Sequence, residues 1–168
     1  MIVGVPKEIT PGERRVALVP DSVAQLTNMG LKVSIQSGAG TQAMFSDDQY
    51  LNAGATIEPE PESLYHSADV VLKVRQPSIV EVDSLRENSA LVCFLQSLTN
   101  TTLVQCLASR GLSVFSMDAV PRIAKAQSMD ALSSMASIAG YKAALIAADS
   151  IPKYFPMMIT AAGTTPPA

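Results

Sequence analysis

A chain of 168 residues, 48% hydrophobic, 16% charged and 5% aromatic, has enough apolar surface for a compact domain with a real core. That composition excludes a disordered tail, a coiled coil and a low-complexity segment. Its 12 Lys and Arg against 15 Asp and Glu give a formal charge of −3, with no basic stripe to follow a phosphate backbone, which argues against nucleic-acid binding.

In chain order, Ile2–Val5 is a β-branched run that predicts a strand. The loop Pro11-Gly12-Glu13-Arg14-Arg15 follows it, at the edge where α/β sheets place ligands. Arg14 and Arg15 have the chemistry to clamp a carboxylate or phosphate; the bland alternative is a solvated charged loop. Asp21–Met29 is a helix closed by Gly30, and Lys32–Gln36 is the second strand.

Directly after it comes Gly38-Ala39-Gly40-Thr41-Gln42-Ala43, a G-x-G-x-x-A with Glu58 further on, which mimics a dinucleotide fingerprint. That fingerprint needs a helix running unbroken from about Thr41 so that its amides meet a pyrophosphate. Ser46-Asp47-Asp48 instead starts a fresh helix, Asp47–Ala53, and Pro59 and Pro61 crowd the place of the ribose-binding acid. A structural glycine turn is the preferred reading.

Glu62–Ser67 is a helix whose His66, the chain's single histidine, has no partner and reads as a surface residue, so no His-based catalyst or metal site is available. Val70–Val74 is a strand with Lys73 and Arg75 flanking Val74 at its end, expected on opposite faces with one of them facing a cleft. Helix Ile79–Glu87, strand Ala90–Leu95, helix Thr101–Arg110 closed by Gly111, and strand Leu112–Phe115 follow. Cys93 and Cys106 sit in apolar stretches without metal or C-x-x-C spacing and read as buried reduced thiols. The strand–helix alternation implies a mostly parallel sheet with helices on its faces, a Rossmann-like or flavodoxin-like layered α/β domain over residues 1–127.

The segment from Pro121 to Ser133 gathers Arg122, Lys125, Gln127, Ser128, Asp130 and Ser133 just before a nearly apolar helix. Capping accounts for Ser128 or Asp130 and leaves Arg122 and Gln127 unexplained; a ligand loop stands beside it as an equal reading. Residues 128–150 form a long helix of Ala, Ser, Leu, Ile and Met. Small residues on every face suggest tight burial against a sheet, or use as an inter-domain or dimer helix. Its uncharged part, Ala131–Tyr141, is short of the ~20 residues that span a bilayer, and MIVGVPKEIT lacks a signal-peptide pattern. The expectation is a soluble intracellular protein. Residues 151–168, rich in proline, read as a linker toward a further, nucleotide-binding domain.

The stretches GVPKEITPGERRVALVP, QSGAG, ADVVLKVRQP, PRIAKAQSMDALSSMASIAGYKA and FPMMITAAGTTPPA together resemble the N-terminal part of the NAD(H)-binding alpha subunits of proton-translocating NAD(P) transhydrogenases. The resemblance spans all 168 residues, and the fourth stretch is the most specific. It implies hydride transfer between NADH and NADP+ coupled to proton translocation, with a loop of Arg122, Gln127, Asp130 and Ser133 reaching over bound nicotinamide. Gln127 and Arg122 are then the implied catalytic contributors, Gln127 and Ser133 bonding the carboxamide while Arg122 and Asp130 hold the loop. No acid–base residue is needed, because hydride transfer between two nicotinamides depends on approach and orientation.

The resemblance further implies a homodimer, a membrane component and an NADP(H)-binding component as partners. The place it implies is cytoplasmic and peripheral to the inner membrane, without insertion of this chain. In the relatives a nucleotide domain follows Gly163–Ala168, so these residues alone are expected to bind NADH weakly or not at all and to be inactive. Alanine dehydrogenases share the fold and the RVAL segment. Their keto-acid Arg matches Arg15, but their Lys position falls on Arg75 and their catalytic His on Gln96, which cannot shuttle a proton. A non-catalytic dimerisation or assembly domain is a third reading.

Overall fold

Alternation within the first strand sets a two-faced plan. In the computed structural model, which describes residues 1–167, β1 (Ile2–Val5) buries Val3 and Val5 on one face. Gly4 faces the other, where a β-carbon would stand 2.8 Å from that of Ala68. On one side β1 pairs in parallel with β2 (Lys32–Gln36), and β3 (Thr56–Glu58) lies beyond it. On the other side come β4 (Val70–Leu72), β5 (Ala90–Cys93) and β6 (Ser113–Ser116). The six-stranded order is therefore β3-β2-β1-β4-β5-β6, all parallel, as the alternating pattern implied. The short Thr56–Glu58 strand escaped it because three residues before a proline show no period.

Helices divide between the faces because the chain winds outward from β1 in one direction and then in the other. α1 (Pro20–Asn28) and α2 (Asp47–Asn52) close a core of Val3, Val5, Val23, Val33, Ile35 and Tyr50. On the opposite face α3 (Pro61–Ser67), α4 (Ile79–Ser84) and α5 (Thr101–Ser109) bury Leu64, Val71, Val82, Leu91, Cys93 and Leu107. Ser46 and Ser78 form capping boxes with Gln49 and Glu81, the reciprocal pairing that fixes where a helix starts. α1 and α3 start instead on Pro20 and Pro61, whose missing N–H costs nothing in a first turn.

Of the two cysteines expected to be buried, one is. Cys93 is buried, and that burial pushes its thiol up to about 12, leaving it inert; Cys106 is only half-buried. Among the described residues no cluster of His, Cys, Asp and Glu is placed to hold a metal.

The chain divides into two compact units, Met1–Val120 and Pro121–Ala168. The second opens with 3-10 turns at Ala124–Met129 and continues as α6 (Ala131–Ser150). No residue of α6 is buried, contrary to the tight packing expected of it. Uniform small apolar residues let a helix pack closely but do not say what lies against it. α6 is, among the described residues, the one helix long and apolar enough by length and composition to cross a membrane, although Lys142 sits near its middle. Residues 151–167 are not featureless: β7 (Met158–Thr160) and β8 (Gly163–Thr165) form an antiparallel hairpin around Ala161-Ala162. Ala168, the last residue of the expected linker, lies outside the described residues.

Candidate functional site

The first unit has a crevice at its winding reversal. The loop after β1 and the loop after β4 leave adjacent strands toward opposite faces, the arrangement that opens a cleft at the carboxyl edge of a parallel sheet. Glu8, Glu13 and Arg15 come from the first loop, Lys73 and Arg75 from the second, and Glu81 from the first turn of α4. Glu13 lies between two guanidinium groups, accepting from Arg15 Nε at 2.7 Å and from Arg75 Nε at 2.8 Å. The Arg15 bond, with further help from Arg75, holds the Glu13 carboxyl down at about 2 despite the opposing cost of burial. Arg14 is exposed and takes no side-chain part in this cluster.

Deeper in, Lys73 Nζ donates to Glu81 Oε1 at 2.6 Å and lies 3.7 Å from Glu8 Oε2. The Tyr65 hydroxyl donates to the same Glu81 oxygen at 2.6 Å. Burial alone would raise the Glu81 carboxyl, but the Lys73 ammonium and the Tyr65 hydroxyl outweigh it and the net direction is down. Glu8 also accepts the Val74 N–H at 2.6 Å, which ties the two loops together. A strand running on through Val74 would put Lys73 and Arg75 on one face. β4 ends at Leu72 and the chain bends at Val74–Arg75, so Lys73 turns inside and Arg75 outside. Glu8, Tyr65 and Glu81 escaped the sequence reading; only the Ser78–Glu81 capping spacing marked one of them.

At the end of β5, Gln96 has φ +54°, an uncommon conformation for a residue with a β-carbon. Asp118 holds it there, accepting from the Leu95 and Gln96 N–H groups at 2.8 and 3.0 Å.

The glycine loop is closed from within. β2 ends at Gln36, and only a three-residue 3-10 turn, Thr41–Ala43, follows before Met44 at φ 68°. Gly38 N–H donates to Asp47 Oδ1 at 2.9 Å, so a carboxylate of the fold already occupies the amide that a phosphate would need. Gly40 is required for packing, since a β-carbon there would stand 2.5 Å from Tyr50 Cε2. Glu58 pairs with Gln36 in the sheet. This is a structural turn.

The second unit carries the other constellation. Arg122 and Gln127 are exposed on the turns before α6, and Lys125 is exposed beside them. Asp130 caps α6: its Oδ1 accepts the Ser133 N–H at 3.0 Å and its Oδ2 accepts the Ser133 hydroxyl at 2.6 Å. Those two bonds, with the charge of Arg122 adding to them, hold the Asp130 carboxyl below its ordinary range. The structure thus joins Asp130 to Ser133 and leaves Arg122 and Gln127 turned to solvent. His66 is exposed at the end of α3.

Residues 4–139 match the family model described as alanine dehydrogenase/PNT, N-terminal domain. The NAD(P) transhydrogenase subunit alpha of Cereibacter sphaeroides is 45% identical over the whole chain, which covers 32% of that protein. The crystal structure of transhydrogenase from Sinorhizobium meliloti superposes with a TM-score of 0.92 at 40% identity, all of this chain on 50% of that one. The alanine dehydrogenase of Bacillus subtilis is more distant, 34% identical over 91% of this chain and 39% of its own length. The chain thus spans about a third to a half of the relatives it matches.

Proposed function

The chain belongs to the alanine dehydrogenase/PNT N-terminal domain family, and from that membership we propose that it is the N-terminal part of the NAD(H)-binding subunit of an NAD(P) transhydrogenase. What supports the reading is its whole-length likeness to transhydrogenase subunits, joined to a polar loop ahead of α6 that capping alone does not explain. The loop fits a nicotinamide. Arg122 and Gln127 offer exposed donors, and the Asp130–Ser133 pair offers acceptors, which together match the carbonyl and amino ends of a carboxamide. The closed turn at Gly38 does not fit a pyrophosphate.

A bound nicotinamide supplies the hydride. The residues of this chain position it: Gln127 and Ser133 fix the face of the ring, and Arg122 with Asp130 holds the loop and keeps water away. Rate then comes from approach and orientation, not from a base. NADH and NADP+ are the proposed substrates, with an NADP(H)-binding component and a membrane component as partners and a homodimer as the assembly. The site of action is the cytoplasmic side of the inner membrane, reached through the complex.

Titration of the chain with NADH, followed by nicotinamide fluorescence anisotropy, tests the division of labour; the sequence has no Trp to interfere. The expected result is weak or absent binding, and saturable micromolar binding would overturn it; measurable hydride transfer by these residues alone, in a separate assay, would overturn the expectation that they are inactive. The Arg15–Glu13–Arg75 cluster favours one competing reading, an amino-acid dehydrogenase. Gln96, standing where that chemistry needs a proton carrier, counts against it. The unburied α6 favours another, a dimerisation element; sedimentation would then show a dimer indifferent to nucleotide.

A further inference from the structure

We infer that strand β6 is a self-complementary edge at which two copies of this chain join their sheets; the inference rests on the homodimer of the reading above and gives it a surface. The six-stranded sheet ends at β3 on one side and at β6 on the other. An edge strand offers unpaired N–H and C=O groups, which proteins blunt with charge, proline or a bulge. The β3 edge is blunted in this way: Thr56-Ile57-Glu58 ends on a carboxylate and runs into Pro59 and Pro61. The β6 edge, Ser113-Val114-Phe115-Ser116, has neither charge nor proline. All four of its residues lie in unbroken register with Ala90–Cys93, so there is no bulge. Its Phe115 is 61% exposed.

The backbone sets the register. Ser113 N–H donates to the Ser89 carbonyl at 3.0 Å, so Ser113 and Phe115 direct their backbone groups toward β5, and by alternation Val114 and Ser116 turn theirs outward. Two such strands, antiparallel about a two-fold axis at Phe115, pair Val114 of each copy with Ser116 of the other and exchange N–H···O bonds at both places. The two Phe115 residues then form the non-hydrogen-bonded pair, with Cα atoms about 4.5 Å apart, the position where facing aromatic side chains interact best. Charge agrees with this direction. Arg110 precedes β6 and Asp118 follows it, so antiparallel pairing sets the basic end of one strand beside the acidic end of the other, whereas parallel pairing would set like beside like. On the α5 face an apolar cavity of about 160 Å³, lined by Val104, Ala108, Leu112 and Val114 among others, lies beside the same edge. The two-fold axis keeps both α5 helices on one face, so the second copy's α5 comes against it.

Sedimentation velocity over a wide range of concentration, joined to cysteine cross-linking, tests the surface. The native chain is expected to pass from monomer to dimer as concentration rises. Phe115→Lys places like charges directly opposite each other and removes the ring pair, and should weaken the dimer at least about tenfold; an unchanged melting temperature shows that the fold of the monomer is intact. Phe115→Cys should form a disulfide-linked dimer under mild oxidation, because the expected Cα separation lies within disulfide reach. Met29→Cys, equally open to solvent at the end of α1 with Met29 76% exposed, should not, and neither should the native chain through Cys93 or Cys106. The cross-link serves alone if Phe115→Lys proves unstable. A dimer left intact by Phe115→Lys, or one without a cross-link at position 115, puts the homodimer on another surface and overturns the β6 edge. Monomer at every concentration overturns it together with the homodimer of these residues, and leaves the edge to a different partner.

Discussion

Replacing Lys73 by Met is the sharpest probe of the first unit, because it removes one charge from a cluster that solvent barely reaches. The Lys73 side chain is 1% exposed and that of Glu81 9%, so screening by water is small and the surface-pair figure does not apply. Breaking a buried pair by removing one partner costs about 3–5 kcal/mol, since the remaining charge is stranded. Glu81 keeps the Tyr65 hydroxyl and the Ser78 N–H at 2.8 Å, which places the expected loss near the lower end, about 3 kcal/mol. That is over a hundredfold in the folding constant.

Urea denaturation at neutral pH measures it. The pH dependence then separates lost charge from lost packing. In the native chain the Glu81 carboxyl is held down, so its ionised form contributes stability above the unfolded value of 4.5 that is lost as pH falls through the folded value. Without Lys73 burial dominates, the folded carboxyl rises above 4.5, and the deficit grows as pH increases through that window. The K73M variant should therefore be closest to the native chain in acid. A deficit below about 1 kcal/mol at neutral pH, or one independent of pH, would refute the buried-pair account.

Other outcomes follow from single contacts. Gly40→Ala should destabilise the chain by about 1–3 kcal/mol through overpacking against Tyr50. Gly140→Ala, with nothing within 4 Å of the new methyl, should stabilise α6 by about 0.5–1 kcal/mol; helicity and thermal melting distinguish the two. Glu13→Gln should flatten the acid limb of the stability curve between pH 4.5 and about 2, where the native carboxyl takes up its proton later than in the unfolded chain. In a complete transhydrogenase subunit, Arg122→Ala and Gln127→Ala should slow hydride transfer strongly with less effect on NADH affinity; unchanged stopped-flow rates in both would remove the loop from the mechanism.

The layered α/β plan could be read from the chain because its signals are local. Strand β1 alternates valine with glycine, α2 and α4 begin on capping boxes, and Gly30, Gly54 and Gly111 stop their helices at positive φ. The closed nature of the glycine turn was legible too, since the fresh cap at Ser46 shows that no long helix starts at Thr41. The dense polar run before an apolar helix marked the segment Pro121 to Ser133 as either a cap or a ligand loop, and the choice of Arg122, Gln127, Asp130 and Ser133 within it came from the resemblance to the transhydrogenase family. Which of them bond to one another is a matter of three dimensions.

Tertiary structure alone decided the ionic cluster. Glu8, Glu13, Lys73, Arg75 and Glu81 come from segments up to 73 residues apart (81 − 8), and no periodicity records that β1 and β4 lie side by side. Their pairing depends on the order of strands, which follows from where each crossover packs its apolar face. The same holds for α6. Its residues determine that it is a helix with no polar face, whereas whether any of them is buried is not written in that pattern. Hydrogen bonds within a turn are set by neighbours in sequence, and burial is set by neighbours in space.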